Sequence, residues 1–177
     1  MNWNMTDDNK KALVPSIEGF KMPTFDQIPN VGLYLEQTTT FLNEYLEPLD
    51  GTQLTSSMIS NYVKKHLIES PIKKQYSREQ LAYLFFIAIS KTVLPLADLK
   101  VLVEIQRKTY TTRRAYEYFT EELDNALKYV FGTQETLKKI GLDKTEEKRM
   151  LDNIIMTAAH KIYLEKYFAL FHEQIDG

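Results

Sequence analysis

The sequence predicts an all-α protein, and three observations support that prediction. Apolar residues recur every three or four positions along most of the chain from residue 35 onward, which is the period of an amphipathic helix. Side chains that cap helices precede several of these stretches, and proline or glycine separates them. With 177 residues and 44% hydrophobic composition, the chain is long enough to bury the core of one or two domains.

Three segments are expected along the chain. Residues 1–23 contain Pro15 and Gly19 and show no sustained apolar period, so we expect a flexible N-terminal arm there. Residues 24–108 are predicted to form a first helical module. Residues 109–177 are predicted to form a C-terminal helical region that packs on this module and pairs two subunits.

The first two predicted helices are joined by a short turn. The first helix begins near residue 34 and ends near Leu49, where Pro48 interrupts it. The second helix covers residues 56–66 and begins after Thr55 or Ser56, since either side chain can accept a hydrogen bond from a free amide of the first turn. This order of helix, turn and helix is that of a helix-turn-helix.

The second predicted helix has two different sides. At about 100° per residue, its apolar residues, Tyr62 and His66 lie on one side. The other side carries small polar and basic residues, namely Ser57, Ser60, Asn61 and Lys64. We expect the first side to pack in a core and the second side to remain free for a partner.

Helices are predicted for the rest of the chain as well. Ser77 and Gln80 form a capping box at the start of the third helix, and Pro95 suits the first turn of the fourth. Gly132 ends a further amphipathic helix, and a long last helix follows Asp143. The last two helices are expected to form a hairpin.

Positive charge is concentrated around the second predicted helix, although the net charge of the chain is −2. Ser and Asn side chains can hydrogen-bond to base edges, and lysine attracts phosphate. We therefore predict binding to double-stranded DNA, with a basic wing over residues 69–76 against the backbone of the adjacent groove. Ser57, Ser60, Asn61 and Lys64 are expected to enter the major groove. The residues expected to neutralise phosphate are Lys65, Lys73, Lys74 and Arg78.

Several short motifs resemble the MerR-type winged helix-turn-helix. They are Ile59-Ser60-Asn61-Tyr62, Leu67-Ile68, Lys74-Gln75-Tyr76-Ser77 and Leu94-Pro95-Leu96. The span from Phe25 to Leu99 resembles, more closely, a bacterial family catalogued as domain of unknown function 1836. The resemblance to the MerR type implies a winged helix-turn-helix over residues 24–108, transcription regulation and a phosphate contact by Tyr62. It also implies a C-terminal region that dimerises and senses a ligand.

Two positions differ from the MerR pattern and motivate an alternative function. Ser60 stands where an arginine is common, and His66 stands where a glycine is common. A protein-interaction module that keeps the fold and does not bind DNA is the alternative. A third hypothesis is a helical sensor whose C-terminal aromatic residues line an effector pocket, although a homodimer seam or a core is the simpler explanation of those residues.

Other functions are not indicated by the sequence. The chain has no cysteine, and its three histidines have no second ligand at metal-binding spacing on one helix face. No phosphate-binding glycine loop or catalytic motif occurs, so we expect neither an enzyme nor a bound cofactor. No stretch predicts a secretory signal or a membrane span, and we expect a cytoplasmic protein with no membrane partner.

Overall fold

The computed structural model describes residues 6–176, which form a mostly helical fold and confirm the predicted helical class. Two short strands, β1 (Leu33–Tyr34) and β2 (Gln75–Tyr76), pair as an antiparallel ladder, and residues Phe25–Gln27 form a 3₁₀ helix. The seven α-helices within residues 6–176 are α1 (Asp7–Leu13), α2 (Leu35–Leu46), α3 (Ser56–Lys64), α4 (Arg78–Ser90), α5 (Leu96–Thr109), α6 (Thr112–Val130) and α7 (Glu146–Asp176).

Helix α1 differs from the flexible arm that the sequence predicts over residues 1–23. The Thr6 hydroxyl caps the helix by accepting a hydrogen bond from the Asn9 amide at 3.2 Å. The Asn9 side chain then donates to the Leu170 carbonyl of α7 at 2.8 Å, and Leu13 is buried. A helix this short shows no apolar period in the sequence, and its contact with α7 could not be predicted. Residues 1–5 lie outside the described part of the chain.

Helix α4 forms the centre of the core. Every residue from Leu81 to Ser90 is buried, so this helix is apolar on all sides. The predicted capping box is confirmed: the Ser77 amide donates to the Gln80 side chain at 2.8 Å, and the Gln80 amide donates to the Ser77 hydroxyl at 3.3 Å. Helices α2, α5, α6 and α7 all contact α4. The rest of the fold is therefore positioned around this buried helix.

Helices α6 and α7 pack against each other as the predicted C-terminal pair. Helix α6 ends at Val130, and Gly132 follows with a φ of 77°, a left-handed conformation that favours glycine. The Thr133 amide donates to the Lys128 carbonyl at 2.9 Å and thereby closes the end of the helix. This confirms the predicted role of Gly132.

The segment before α2, which includes the 3₁₀ helix, contacts α6 through side chains of α6. The two terminal guanidinium nitrogens of Arg113, Nη2 and Nη1, donate to the carboxylate of Asp26 at 2.6 and 2.9 Å. The buried Tyr116 hydroxyl donates to the Pro23 carbonyl at 2.8 Å. The hydrogen bonds that Arg113 donates to the Asp26 carboxylate hold the pKa of Asp26 below its ordinary value.

Candidate nucleic-acid interface

The turn between α2 and α3 is held by side chains of α2 and of the turn itself. Asn43 of α2 donates to the Leu54 carbonyl at 2.7 Å and accepts from the Leu54 amide at 2.9 Å. The side chains of Thr52 and Gln53 donate to carbonyls at the end of α2. Thr55 then caps α3 by accepting from the Met58 amide at 3.1 Å. These hydrogen bonds fix the orientation of α3 relative to α2.

Helix α3 separates its residues as its sequence pattern predicts. Ile59 and Tyr62 are buried on the side that faces the core. The opposite side borders a shallow depression that also includes Leu35 and Ser56. Four exposed residues predicted to face a partner lie around this depression: Ser57, Ser60, Asn61 and Lys64.

Helix α3 ends two residues earlier than predicted, at Lys64. His66 has a φ of 60° in the left-handed region, which histidine tolerates better than most residues but less well than glycine. The His66 amide donates to the Val63 carbonyl at 3.0 Å, and the Leu67 amide donates to the Tyr62 carbonyl at 2.9 Å. This is a Schellman end of the helix. It leaves Lys65 exposed beside the free side of α3.

A β-hairpin lies within the segment predicted as the wing. Its tip is a two-residue turn closed by a 2.9 Å hydrogen bond from the Gln75 amide to the Ile72 carbonyl. Lys73 and Lys74 occupy the turn with φ values of 49° and 65°, as in a type I′ turn, where Asn-Gly is the favoured pair. Both lysines are exposed, as is Ile72.

The ladder that supports this hairpin requires a close approach between strands. Leu33 pairs with Tyr76 and Tyr34 with Gln75. A β-carbon at Gly32 would lie only 2.7 Å from the β-carbon of Gln75. Glycine at this position therefore lets the segment before β1 approach β2, and this approach positions the hairpin.

Two residues predicted to bind DNA, Tyr62 and Arg78, contact other parts of the protein instead of lying free at its surface. Tyr62 is buried, and burial raises the pKa of its hydroxyl. Arg78 donates from Nε to the Ile28 carbonyl at 2.8 Å, and its Nη1 lies 3.5 Å from the Asp26 carboxylate. The Arg78 guanidinium also stacks 5.6 Å from the centre of the Phe25 ring. Arg78 therefore stabilises the packing of the 3₁₀ helix on α4, a contact that local sequence patterns do not report.

An acidic residue, Glu36 of α2, lies at the edge of this surface. Its position beside α3 is not predicted by the sequence analysis. The Ser56 hydroxyl donates to the Glu36 carboxylate at 2.8 Å and lies 3.1 Å from the Thr39 hydroxyl. The first turns of α2 and α3 are therefore adjacent, and a carboxylate stands beside the start of α3. The one sequence feature that could have suggested this contact is the position of Glu36 in the first turn of the preceding helix, α2.

The other seven predicted residues remain available to a partner. They are exposed, and their side chains form no hydrogen bond or ion pair with any residue of the described range 6–176: Ser57, Ser60, Asn61, Lys64, Lys65, Lys73 and Lys74. We name this set, together with the backbone that carries it, the α3–hairpin surface.

No group of three or more His, Asp or Glu side chains within residues 6–176 is arranged to hold a metal ion. Among the same residues, no helix combines the length and the apolar composition that crossing a membrane requires.

The fold and the surface define a mostly helical protein in which an exposed polar and basic helix is followed by a β-hairpin with lysines at its tip. Residues 23–119, more than half of the chain, match the family described as domain of unknown function (DUF1836). The chain therefore belongs to this family, as its motifs predict. No curated protein and no solved structure matches the chain.

Proposed function

We propose that this protein is a DNA-binding transcription regulator whose N-terminal module is a winged helix-turn-helix similar to the MerR type. Helix α3 is the recognition helix, and residues 69–76 form the wing. The observation that carries the proposal is the exposed side of α3, whose polar and basic side chains have no partner within residues 6–176 and whose helix is fixed by Asn43.

In this mechanism, the residues of α3 have two roles. Ser57, Ser60 and Asn61 contact base edges in the major groove, where the amide of an asparagine can pair with adenine through two hydrogen bonds. Lys64 and Lys65 neutralise phosphates and supply most of the affinity, which is independent of sequence. Replacing Asn61 by Ala should therefore reduce discrimination between sequences more than it reduces the salt dependence of binding.

The conformation of the hairpin supports a phosphate contact at its tip. Two consecutive lysines with positive φ are energetically less favourable than the Asn-Gly pair that this turn prefers. An Asn-Gly pair would relieve this strain. Because the chain carries two lysines there instead, we infer that their charges serve a partner. An exposed pair of lysines at the end of a two-residue turn can reach a phosphate without obstruction from its own strands.

The proposal is tested by fluorescence anisotropy with a pool of mixed-sequence duplexes over a range of salt concentrations. Binding should weaken steeply with salt, and selection from the retained duplexes should enrich a pseudo-palindrome. Replacing Lys73 and Lys74 together by Ala should reduce the magnitude of the negative slope of log K against log salt by about 1.8, since each phosphate contact contributes about 0.9.

A matched control removes the same charge from another loop. Lys138 and Lys139 are exposed in the segment between α6 and α7, and replacing both by Ala should leave the salt slope unchanged. Absence of DNA binding by the unaltered protein at low salt would refute the proposal. An equal loss of slope in both double variants would mean that net charge, and not a hairpin contact, governs binding.

The proposed regulator acts as a homodimer. Helix α7 exposes Leu164, Phe168 and Ile175, whose spacing of four and seven residues places them on one side of the helix. A dimer paired through this side would carry two α3 helices, and helix-turn-helix dimers bind half-sites about one helical turn, or a multiple of it, apart. Sedimentation analysis should show a dimer that Phe168→Glu dissociates and Leu142→Glu, an exposed loop control, does not.

A protein-interaction module is the second candidate. It is favoured by the carboxylate of Glu36 beside the first turn of α3 and by the engagement of Arg78 with Asp26, since both reduce the positive potential near the helix. A single stoichiometric protein partner recovered from a nuclease-treated extract, with no retention of DNA, would support this candidate over the first.

A further inference from the structure

The segment between α6 and α7 is held against α6 by two side chains of that helix. Asn125 donates to the Lys138 carbonyl at 2.8 Å and accepts from the Lys138 amide at 3.2 Å. The Tyr118 hydroxyl donates to the Ile140 carbonyl at 2.9 Å. Residues 141–143, which follow directly, form one side of an apolar cavity between α5, α6 and α7. The two contacts therefore keep this side of the cavity in place.

The Tyr118 hydroxyl has one proton and lies beside two acceptors. Its oxygen is 2.9 Å from Oε1 of Glu122 and 2.9 Å from the carbonyl oxygen of Ile140. If Glu122 is ionised, both neighbours can only accept, and they compete for one proton. A neutral Glu122 carries a proton of its own, which it can donate to the Tyr118 oxygen. Only the neutral form therefore supplies a separate proton for each of the two contacts.

The charges around Glu122 also favour its neutral form. Glu122 is buried, and Nζ of Lys148 in α7 lies 3.8 Å from its carboxylate. Lys148 is closer to Asp152, at 3.0 Å, so a carboxylate already matches its charge. The Oδ1 atom of Asp152 is buried without a hydrogen-bond partner within residues 6–176, and the exposed Glu121 adds a further negative charge. Burial, with the Asp152 charge in addition, raises the pKa of Glu122.

The other titratable groups at this site do not change charge together with Glu122. Asp143 accepts hydrogen bonds from the Tyr110 hydroxyl and from a backbone amide, which hold its pKa below its ordinary value. Asp143 is therefore ionised before Glu122 loses its proton. Burial raises the pKa of Tyr118 to about 12. Helix α4 has no charged side chain from Leu81 to Ser90.

We propose that Glu122 is a proton-operated latch for the segment between α6 and α7. In its neutral form Glu122 donates to Tyr118, and Tyr118 donates to the Ile140 carbonyl. As the pH rises, Glu122 loses its proton to solvent. The carboxylate then accepts the Tyr118 hydrogen bond in place of Ile140, because charge-assisted hydrogen bonds are the stronger ones. The Ile140 carbonyl loses its donor, and the segment is released from α6. This inference does not depend on DNA binding, because no residue of the α3–hairpin surface takes part.

The first test follows the carboxyl carbon of Glu122 and the carbonyl carbon of Ile140 by NMR while the full chain is titrated from about pH 4 to about pH 8. Both carbons should report one transition with a midpoint above about 4.3, the ordinary pKa of glutamate. Glu122→Gln keeps a neutral donor at this position and should hold the Ile140 resonance at its low-pH value throughout. Glu121→Gln, which changes the exposed neighbour, should leave both transitions in place.

The second test measures release of the segment by tryptic cleavage after the exposed Lys139. At about pH 8, cleavage should be about tenfold faster in the unaltered protein than in Glu122→Gln, which corresponds to about 1.4 kcal/mol for one lost hydrogen bond. Low concentrations of urea should not accelerate cleavage, because a local release exposes little new surface.

Three results would overturn the proposal. The first is an Ile140 resonance that does not move with the Glu122 transition, or that moves equally in Glu122→Gln. The second is a Glu122 carboxyl that titrates at or below its ordinary pKa, or that does not titrate in this range. The third is cleavage after Lys139 that is equal in the two proteins or that urea accelerates, since cleavage would then follow global unfolding. The NMR titration uses the unaltered protein and does not depend on whether a variant folds.

Discussion

Replacing Lys73 and Lys74 by Asn and Gly should stabilise the protein and weaken its binding to DNA at the same time. The two lysines have φ values of 49° and 65°, which are unfavourable for side chains other than glycine, asparagine and aspartate. Asn-Gly is the pair that type I′ turns prefer. The same substitution removes the two charges that we propose to contact phosphate.

The expected magnitudes follow from the geometry. A left-handed conformation costs roughly 1–2 kcal/mol for an ordinary residue, and glycine loses part of this gain through greater freedom in the unfolded chain. We therefore expect a net stabilisation of about 1–2 kcal/mol, or an increase in Tm of about 2–8 °C for a chain of this size. Loss of two phosphate contacts should reduce the magnitude of the negative salt slope of DNA binding by about 1.8.

The assay combines thermal unfolding with the anisotropy titration described above, and two control variants separate charge from strain. Replacing both lysines by Gln removes the charges and keeps the strained conformation, so the salt slope should fall without an increase in Tm. His66→Gly relieves strain at another left-handed residue, with a φ of 60°, and changes neither lysine. It should raise the Tm and leave the slope unchanged.

Either half of the prediction can fail separately. An unchanged Tm in the Asn-Gly variant would show that the hairpin turn is not strained. An unchanged salt slope in both double variants, together with measurable DNA binding by the unaltered protein, would refute a phosphate contact at the tip.

Three further predictions concern Asn43, which holds the turn between α2 and α3, Glu36, which lies beside α3, and the buried carboxylate of Glu122 in α6. Asn43→Ala removes both hydrogen bonds to Leu54 and should lower the free energy of unfolding by about 1–3 kcal/mol, measured as a lower urea midpoint at constant m value. Glu36→Gln should raise DNA affinity by about twofold to fivefold at low salt, because it removes a repulsive charge beside α3, and an unchanged affinity would place that edge away from the phosphates. Burial raises the pKa of Glu122, so its contribution to stability is full below its ordinary pKa and declines as the pH rises through the folded-state value. The free energy of unfolding relative to Glu122→Gln should therefore fall as the pH rises above about 4.3, the ordinary pKa of glutamate, and a flat difference in chemical denaturation would contradict it.

Local interactions explain what could be predicted from the sequence. The capping box of Ser77 and Gln80, the cap at Thr55 and the glycine at Gly132 all act within a few residues of the helix end that they define. The two sides of α3 follow from apolar spacing alone. The family could also be recognised from short motifs, since these are local in the sequence.

Contacts between distant segments explain what could not be predicted. Arg78 was expected at the phosphates because the sequence shows its charge but not its neighbours. Its hydrogen bond to Ile28 joins residues 50 positions apart, and that of Arg113 to Asp26 joins residues 87 positions apart. The position of Glu36 beside Ser56 likewise depends on how α2 and α3 meet.

The sequence by itself therefore determined the helical class, most helix starts and the two sides of α3, because propensity, capping and periodicity act over one or two turns of helix. Only the tertiary structure decided which charges are free, that α1 packs on α7 and that the hairpin tip holds two strained lysines. The physical reason is that packing and strand pairing join segments remote in the sequence, such as α1 with α7 and β1 with β2.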